Sequence, residues 1–315
     1  MNPITLAPRV LDLGRERRLL DLDFRDTEGL VAAYLLPTPD GWMLLETGPT
    51  SCREALLRGL EFAGVGAGEV RHVLVTHIHL DHAGGMGALA DALPRATFYA
   101  HELGVPHLVD PTRLIASARR AWGEASDPLW GTIAAVPASR IRALKGGELL
   151  PLKDGELRVL ATPGHARHHL SFFDTALGAI FTGDSAGVRL ERSDRVRPAV
   201  PPPDLDLEQL FASLETMRRL DPRAVVYSHF GPSPHGAEDL RVYREVVERW
   251  RDVALAAARE RPEVGYIAEK LREEEGDQGA SSEGDRAGLV SGYEMAAQGF
   301  LRYFETRGLL GGATR

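Results

Sequence analysis

The sequence predicts a mixed α/β fold in which layers of sheet and helix pack on each other. Short apolar runs alternate along the chain with segments of helical periodicity, which is typical of this fold class. Two of the earliest apolar runs are separated by the turn sequence Pro-Thr-Pro-Asp-Gly, which predicts a β-hairpin. The 315 residues are 43% hydrophobic and 26% charged, an ordinary balance for a globular chain with a sizeable core.

The individual elements follow from these patterns in chain order. The hairpin joins strands at 30–36 and 42–45, and Thr50-Ser51 offers an N-cap to a helix that runs to about Ala63. The run HVLVT at 72–76 predicts a buried strand. Further strands are expected at 97–100, 157–161, 170–173, 179–181 and 224–227, and further helices at 87–93, 111–122 and 206–220.

The last part of the chain differs in pattern and predicts a helical extension. A long helix is expected over 237–260, with Val242, Val246, Trp250 and Val253 at helical spacing, and a final helix over 293–305. The acidic, Gly/Ser-rich run 273–288 predicts a flexible linker between them. We therefore expect a catalytic domain over 1–236 and a C-terminal helical extension over 237–315, whose apolar faces pack near the site as a lid or form a homodimer.

Composition excludes several classes of function. The formal net charge of −8 argues against a nucleic-acid-binding surface. A single cysteine, Cys52, excludes a disulfide framework and a Cys-rich metal site, and packing rather than nucleophilic chemistry is expected of it. Because no apolar run approaches the ~20 residues of a membrane span, and the start of the chain lacks a signal-peptide core, a cytoplasmic protein without membrane partners is expected.

A dense group of metal-binding residue types follows the predicted strand at 72–76. It reads His77-Ile78-His79-Leu80-Asp81-His82. In extended chain the side chains of residues i and i+2 point to one side, so His77 and His79 can share one ion. Asp81 and His82 suit a second ion, and the small Gly84-Gly85 pair lets the backbone turn tightly beside both.

Three more residues of the same types each follow a predicted strand. They are His165, Asp184 and His229. Sites are usually assembled where strands end and loops begin. The seven residues offer nitrogen and oxygen ligands for two divalent ions with open positions for water. Zinc is the expected metal, and iron or manganese suit the same ligands.

The blocks THIHLDH, TPGH, TGDS and SHFG together resemble the metallo-β-lactamase superfamily, in its binuclear hydrolase branch with glyoxalase II, homoserine-lactone lactonases and RNase Z. The resemblance spans about residues 4–236 and implies a four-layer αββα sandwich. It is closest to an uncharacterised prokaryotic subgroup. It implies a first metal on His77, His79 and His165, a second on Asp81, His82 and His229, and a bridge through Asp184.

Departures from the family pattern narrow the expectations. Glu46 stands where the family usually has Asp, and His169 matches the second His of the glyoxalase II motif; both are expected to orient ligands. Asp184 stands where the commonest class B β-lactamases have Cys, so antibiotic hydrolysis is not expected. No Tyr follows within Ser185-Ala186-Gly187, unlike the homoserine-lactone lactonases.

The predicted function is metal-dependent hydrolysis of a small ester-like substrate such as a thioester or lactone. A hydroxide bridging the metals would attack the carbonyl, and Asp81 would shuttle a proton as the catalytic carboxylate. The alternatives are a phosphodiesterase or RNase, a mononuclear iron persulfide dioxygenase, and a non-catalytic metal-binding domain. The expected partner is a small-molecule substrate.

Two other segments carry open alternatives. Arg189, Arg192, Arg195 and Arg197 follow Asp184 and form either a solvated basic loop or an anion clamp at the mouth of the site. The long connection 104–136, with Trp122 and Trp130, either covers the site or packs its helices onto the core.

Overall fold

The computed structural model describes residues 8–190, 195–276 and 286–310. The chain divides into two compact units. The first unit comprises Met1–Leu160 and Phe172–Leu177, and the second unit comprises Ala161–Ser171 and Gly178–Arg315. The expected domain boundary after residue 236 stays a prediction.

Seven strands form the first sheet in chain order. They are β1 (Val10–Gly14), β2 (Arg17–Asp21), β3 (Ala32–Thr38), β4 (Gly41–Leu45), β5 (Val70–Leu74), β6 (Thr97–His101) and β7 (Ile141–Leu144). Strands β1 to β4 pair antiparallel, whereas β4 to β7 pair parallel. The parallel half places the carboxyl ends of β4 and β5 at one edge of the sheet.

Six strands form the second sheet, in the order β13-β12-β11-β10-β9-β8. They are β8 (Leu149–Leu152), β9 (Gly155–Ala161), β10 (Leu170–Asp174), β11 (Ala179–Phe181), β12 (Ala224–Tyr227) and β13 (Gly231–Ser233). Strands β11 and β12 are parallel neighbours, so their carboxyl ends also lie side by side.

The α-helices lie between the strands and after them. They are α1 (Arg53–Phe62), α2 (Leu80–Ala83), α3 (Met86–Ala92), α4 (Val105–Val109), α5 (Thr112–Trp122), α6 (Ser126–Trp130), α7 (Leu207–Arg218), α8 (Ala237–Glu260), α9 (Val264–Glu275) and α10 (Tyr293–Thr306). Two sheets, their helices and the C-terminal helices confirm the predicted mixed α/β fold. None of the helices in the described ranges is long and apolar enough to cross a bilayer.

The core of the first unit is built on buried apolar strands and one buried ion pair. Every residue of β3 is buried, as expected for a strand covered on both faces. Arg17, only 1% exposed, donates from Nε to Oδ2 of Asp174 at 2.8 Å. Because Asp174 is fully buried, its charge depends on this partner.

Several short strands had no sequence signal. Strands β1, β2, β7 and β8 contain charged residues or Pro and show no sustained alternation of apolar and polar positions. The strand expected at 72–76 lies at Val70–Leu74. Its last two predicted residues, Val75 and Thr76, begin the loop that carries the histidines.

Helix α8 buries a face that is displaced by about one residue from the one expected. The buried stripe of α8 consists of Leu240, Tyr243, Val247, Trp250, Ala254, Ala257 and Ala258. Val242, Val246 and Val253 are half-buried beside it. The helix packs against α7, α9 and α10 within the second unit, so its apolar face is covered without a second subunit. Alanines and a tyrosine make up much of this face, and of the four residues expected on it from the sequence only Trp250 is fully part of it.

The expected linker over 273–288 is partly helical. Helix α9 continues to Glu275 because Ile267, Ala268 and Leu271 bury its apolar side, while Glu is a good helix former at the exposed positions. Residues 286–288 are helical as well. The remainder of the predicted linker, 277–285, lies outside the described residues.

Candidate metal centre

In the first unit, two parallel strands carry the first group of predicted site residues. Glu46 directly follows β4, and Thr76-His77 follows β5 after one residue. Since β4 and β5 are parallel, their carboxyl ends bring these residues to the same sheet edge. The backbone N–H of Glu46 donates to the carbonyl of Leu74 at 2.8 Å, which continues the pairing up to the site.

The four residues of the His-Asp motif lie close together. Nε2 of His77 lies 2.9 Å from Nδ1 of His79, and the ligand atoms of this pair fall within 4.8 Å. Asp81 and His82 lie in the short helix α2, with the carboxylate 3.8 Å from Nε2 of His82. Three histidines and a carboxylate therefore converge on one side of this loop.

Glu46 holds the loop from behind. Its Oε1 accepts a hydrogen bond from Oγ1 of Thr76 at 2.6 Å and lies 3.2 Å from Nδ1 of His82. A carboxylate can only accept, so Nδ1 of His82 carries the hydrogen and Nε2 keeps its lone pair. This tautomer is the one required of a metal ligand that binds through Nε2.

The two glycines after the motif form the expected turn and also permit close packing. Both have helical φ angles, −58° for Gly84 and −80° for Gly85. A Cβ on Gly84 would lie 3.2 Å from Cα of Pro49, and one on Gly85 would lie 3.1 Å from the carbonyl of Gly48. The two residues form the turn between α2 and α3, as expected, and they let both helices approach the loop that follows Glu46.

In the second unit, the parallel pair β11 and β12 repeats the arrangement. Asp184 follows β11 and His229 follows β12, and both are buried. Oδ1 of Asp184 lies 3.6 Å from Nε2 of His229, while Oδ2 lies 3.6 Å from Nε2 of His165. One carboxylate therefore faces two imidazoles, one on each oxygen.

His165 is placed by an unusual backbone and by a carbonyl partner. Gly164 before it has φ +137°, and a Cβ there would lie 2.3 Å from the backbone of Leu210. Nδ1 of His165 donates to the carbonyl oxygen of Ala199 at 2.8 Å. The hydrogen therefore sits on Nδ1, and Nε2 faces Asp184 with its lone pair.

His169 supports Asp184 instead of facing it as a ligand. The backbone N–H of Asp184 donates to Nε2 of His169 at 3.2 Å, so that nitrogen is the acceptor and Nδ1 carries the hydrogen. Nδ1 lies 2.9 Å from Oγ1 of Thr162 and 3.0 Å from Oγ of Ser185. These two hydroxyls were not anticipated, although each lies within the TPGH or TGDS block.

The donor chemistry of each unit fits divalent metal ions. The imidazoles of His82 and His165 have Nδ1 engaged and a lone pair left on Nε2, and together with nearby aspartate oxygens they are ligands that Zn²⁺, Fe²⁺ and Mn²⁺ accept. Within each unit these ligand atoms are grouped within 4.8 Å: His77 with His79, Asp81 with His82, and His165 with Asp184. The ligand assignments made from the sequence remain predictions.

Arg197, in the arginine-rich segment after Asp184, fits neither alternative. Arg197 is buried, and its guanidinium donates to Glu275 at 2.7 Å and to Oη of Tyr293 at 3.1 Å. It is therefore neither solvated nor available as an anion clamp. Arg195 contacts the carbonyl of Glu275, and Arg192 lies outside the described residues.

Within the first unit, one tryptophan of the connection 104–136 packs onto the core. Trp130 is 8% exposed and stacks on Phe24 with ring centroids 6.0 Å apart. Trp122 is 40% exposed and meets the edge of Trp130 at 5.6 Å. The packing interpretation therefore holds for Trp130, whereas Trp122 is only partly covered.

Comparison with protein families gives one match over most of this region. The model of the metallo-beta-lactamase superfamily matches residues 26–229. The match begins before the hairpin and ends at the last predicted ligand.

Curated relatives share between a quarter and a third of their residues with the chain. A metallo-beta-lactamase fold-containing protein of Sulfurisphaera tokodaii is 29% identical over 165 residues, which cover 51% of this chain and 60% of the relative. A hydroxyacylglutathione hydrolase of Synechococcus sp. is 28% identical over 189 residues, covering 59% and 58%. An atrochrysone carboxyl ACP thioesterase of Aspergillus fumigatus is 28% identical over 182 residues, covering 57% and 46%. The chain thus spans about half the length of the curated relatives it matches.

Solved structures agree on the fold. A beta-lactamase domain protein from Burkholderia ambifaria superimposes with a TM-score of 0.66 at 20% identity, covering 98% of this chain and 92% of that one. A metallo-beta-lactamase family protein from Thermus thermophilus gives a TM-score of 0.63 at 21% identity, covering 96% and 93%. At these identities the likeness concerns the fold alone.

Proposed function

The chain belongs to the metallo-beta-lactamase superfamily of metallo-hydrolases, and on that premise we propose that it hydrolyses a small thioester or related ester with two divalent metal ions. The two ions would be held by the seven predicted ligands. The three in the second unit are His165, Asp184 and His229, and the four in the first unit are His77, His79, Asp81 and His82.

The arrangement of Asp184 is the observation that carries this proposal. A buried carboxylate with a different imidazole 3.6 Å from each oxygen has the donor geometry of a ligand shared by two ions. A persulfide dioxygenase with one iron needs two histidines and one carboxylate, so it leaves His229 and the Asp81-His82 pair without a role. The donor set therefore favours a binuclear hydrolase.

Chemistry and charge favour a carbonyl substrate over a phosphodiester. Relatives with 28% identity include a hydroxyacylglutathione hydrolase and two thioesterases, all of which bear names of thioester-cleaving enzymes. The net charge of −8 disfavours polyanions such as RNA, whose binding depends on neutralising phosphates. We therefore place thioesters first, with lactones and simple esters as related substrates.

The protein's own residues orient the ligands and handle protons. When bound, the metal ions lower the pKa of a water molecule to about 7 and polarise the carbonyl oxygen of the substrate. Glu46 and the Ala199 carbonyl fix the Nδ1 hydrogens of His82 and His165. His169 holds the backbone of Asp184. Asp81, whose side chain is 16% exposed, is the carboxylate proposed to pass a proton to the leaving group.

The test combines metal analysis with a substrate panel. Purified protein is loaded with Zn²⁺, Fe²⁺ or Mn²⁺, its metal content is measured, and kcat/KM is determined for an acyl thioester, a lactone and bis-p-nitrophenyl phosphate. We expect two ions per chain and a thioester kcat/KM at least about tenfold above that of the phosphodiester. His229→Ala should lose activity and metal, while the matched control His235→Ala, at an exposed histidine, should retain both.

Two results would contradict the proposal. Saturation at one ion per chain would exclude the binuclear mechanism. A phosphodiester turned over about tenfold faster than the thioester would assign the site to phosphoryl transfer instead.

A further inference from the structure

Ala199 lies at the centre of a hydrogen-bonded chain that reaches a predicted metal ligand. Its carbonyl oxygen accepts from Nδ1 of His165 at 2.8 Å. The direction of this carbonyl sets the plane of the imidazole and leaves Nε2 towards Asp184. Any movement of the 199 peptide would therefore turn the ligand ring.

The other side of Ala199 is held by helix α8. The backbone N–H of Ala199 donates to Oη of Tyr243 at 3.4 Å, and the tyrosine is fully buried. Burial raises the pKa of the Tyr243 hydroxyl, so it stays protonated at neutral pH and accepts this hydrogen bond through a lone pair.

The ring of Tyr243 also packs against the segment that follows Asp184. A Cβ on Gly187, which has φ +80°, would lie 2.4 Å from Cε2 of Tyr243 and 2.6 Å from the carbonyl of Arg197. Only a glycine leaves room for the ring at this place. Tyr243 thus contacts both the chain leaving Asp184 and the chain that holds His165.

The residues on either side of Ala199 are fixed by α9, α10 and the chain between them. The backbones of Arg197 and Val188 pair through two hydrogen bonds, at 2.9 and 2.8 Å. Arg197 forms its buried ion pair with Glu275 of α9. Oγ of Ser291 donates to the carbonyl of Pro198 at 2.7 Å. The 197–200 segment therefore has little freedom to follow a misplaced ring.

We propose that Tyr243 is a positioning residue for His165: the C-terminal helix α8 orients this ligand through the Ala199 peptide. The inference rests on the proposed function, because it takes His165 as a metal ligand. It gives the C-terminal helices a role in assembling the metal centre, and the lid or dimer interface expected from their sequence pattern stays a prediction.

The experiment compares two tyrosine-to-phenylalanine variants. Tyr243→Phe removes one hydroxyl and keeps the ring against Gly187. Tyr303→Phe is the matched control, because its buried ring also carries a hydroxyl with a partner, and that partner is Oε1 of Glu208 at 2.7 Å rather than the backbone of Ala199. Ser291→Ala tests the same segment from its other side.

Metal affinity is measured by competition with a chromophoric chelator, alongside the Tm of the metal-free proteins and the visible absorption of the Co²⁺ forms. Loss of a partner that orients a metal-bound histidine typically costs ~10- to 100-fold in affinity, and Tyr243 acts one peptide further away. We therefore expect affinity for the site containing His165 to fall about three- to tenfold in Tyr243→Phe and in Ser291→Ala. The Co²⁺ bands of both variants should shift, while Tyr303→Phe should match the wild type.

The other outcomes contradict either the positioning role of Tyr243 or the proposed function. Wild-type affinity and Co²⁺ spectrum in Tyr243→Phe would overturn the positioning role. Equal losses in Tyr243→Phe and Tyr303→Phe, tracking the drop in metal-free Tm, would show a general effect on stability and would also overturn it. A wild-type protein that binds no divalent metal would instead overturn the proposed function and, with it, this inference.

Discussion

Oε1 of Glu46 lies 3.2 Å from Nδ1 of His82, and both side chains are buried. The same oxygen accepts from Oγ1 of Thr76, one residue before His77. Glu46 itself has φ +70°, a rare backbone conformation for a residue with a side chain. One carboxylate thus links the strand end that carries it to the loop that carries four predicted ligands.

Replacing this carboxylate by an amide should weaken metal binding. In Glu46→Gln the side chain keeps its length but loses the charge, and a neutral hydrogen bond to His82 is about half as strong. We expect metal affinity to fall about tenfold, measured by chelator competition. Glu69→Gln is the control, since Glu69 accepts a hydrogen bond from Gly66 at an exposed turn. Unchanged affinity in Glu46→Gln would show that Glu46 stabilises the loop without orienting His82.

Asp184 and His229 should differ in how many ions each holds. Asp184→Asn keeps the shape of the side chain but places a neutral amide between two imidazoles, so we expect both ions to be lost. His229→Ala should lose mainly the second ion, for which Asp81 and His82 are the other proposed ligands. For Asp184→Asn we expect kcat/KM to fall ~10³-fold, which corresponds to a loss of ~4 kcal/mol of transition-state stabilisation by the metal ions. Elemental analysis of the two variants measures the difference, and identical metal content in both would contradict the bridging assignment.

A comparison of the predicted and observed site residues shows which features of a metal centre can be recognised in the sequence. The ligands predicted from the blocks THIHLDH, TGDS and SHFG follow β5, β11 and β12, which belong to two parallel strand pairs, and His165 of TPGH follows β9. Residue type and strand position are both visible in the sequence, so these positions could be predicted. The Ala199 carbonyl has no such signature, since every residue carries a backbone acceptor. Tyr243 was missed for a related reason: it lies far along the chain, on a helix face that valine spacing misplaced by one residue.

The elements of the fold could be predicted to a similar degree, and some of them were missed for similar reasons. Apolar strands such as β3 and β5 and long amphipathic helices were recognisable. Strands β1 and β2 were not, because Arg17 is buried by an ion pair with Asp174, 157 residues away along the chain. Helix α9 was not predicted. Its acidic end resembles a linker in composition and was assigned to one, whereas its apolar side is buried.

Cys52 should be chemically inert in the folded protein. Its side chain is 3% exposed, and burial raises the pKa of the thiol to about 12. A thiol with a raised pKa stays protonated as the pH rises, so at pH 8 only about one molecule in 10⁴ carries the reactive thiolate. We expect a chromogenic disulfide reagent to label the native protein at pH 8 at least ~100-fold more slowly than the urea-unfolded protein. Labelling at the rate of an exposed thiol would contradict this, and Cys52→Ala should retain metal and activity.

Two helical glycines should respond in opposite ways to the same substitution. Gly299 in α10 lies so close to the 197–200 segment that a Cβ would be 1.8 Å from the carbonyl oxygen of Val200, whereas nothing lies within 4 Å of a Cβ at Gly265 in α9. Gly265→Ala should raise the free energy of unfolding by ~0.5–1 kcal/mol, because alanine restricts the unfolded chain. Gly299→Ala should lower it by ~1–3 kcal/mol, because α10 must move away from backbone that cannot yield. Urea unfolding of the two variants gives both values. The displacement also pushes on the peptide next to Ala199, so Gly299→Ala should weaken metal binding as well. A Gly299→Ala protein as stable as Gly265→Ala would show that α10 does not pack tightly on this segment.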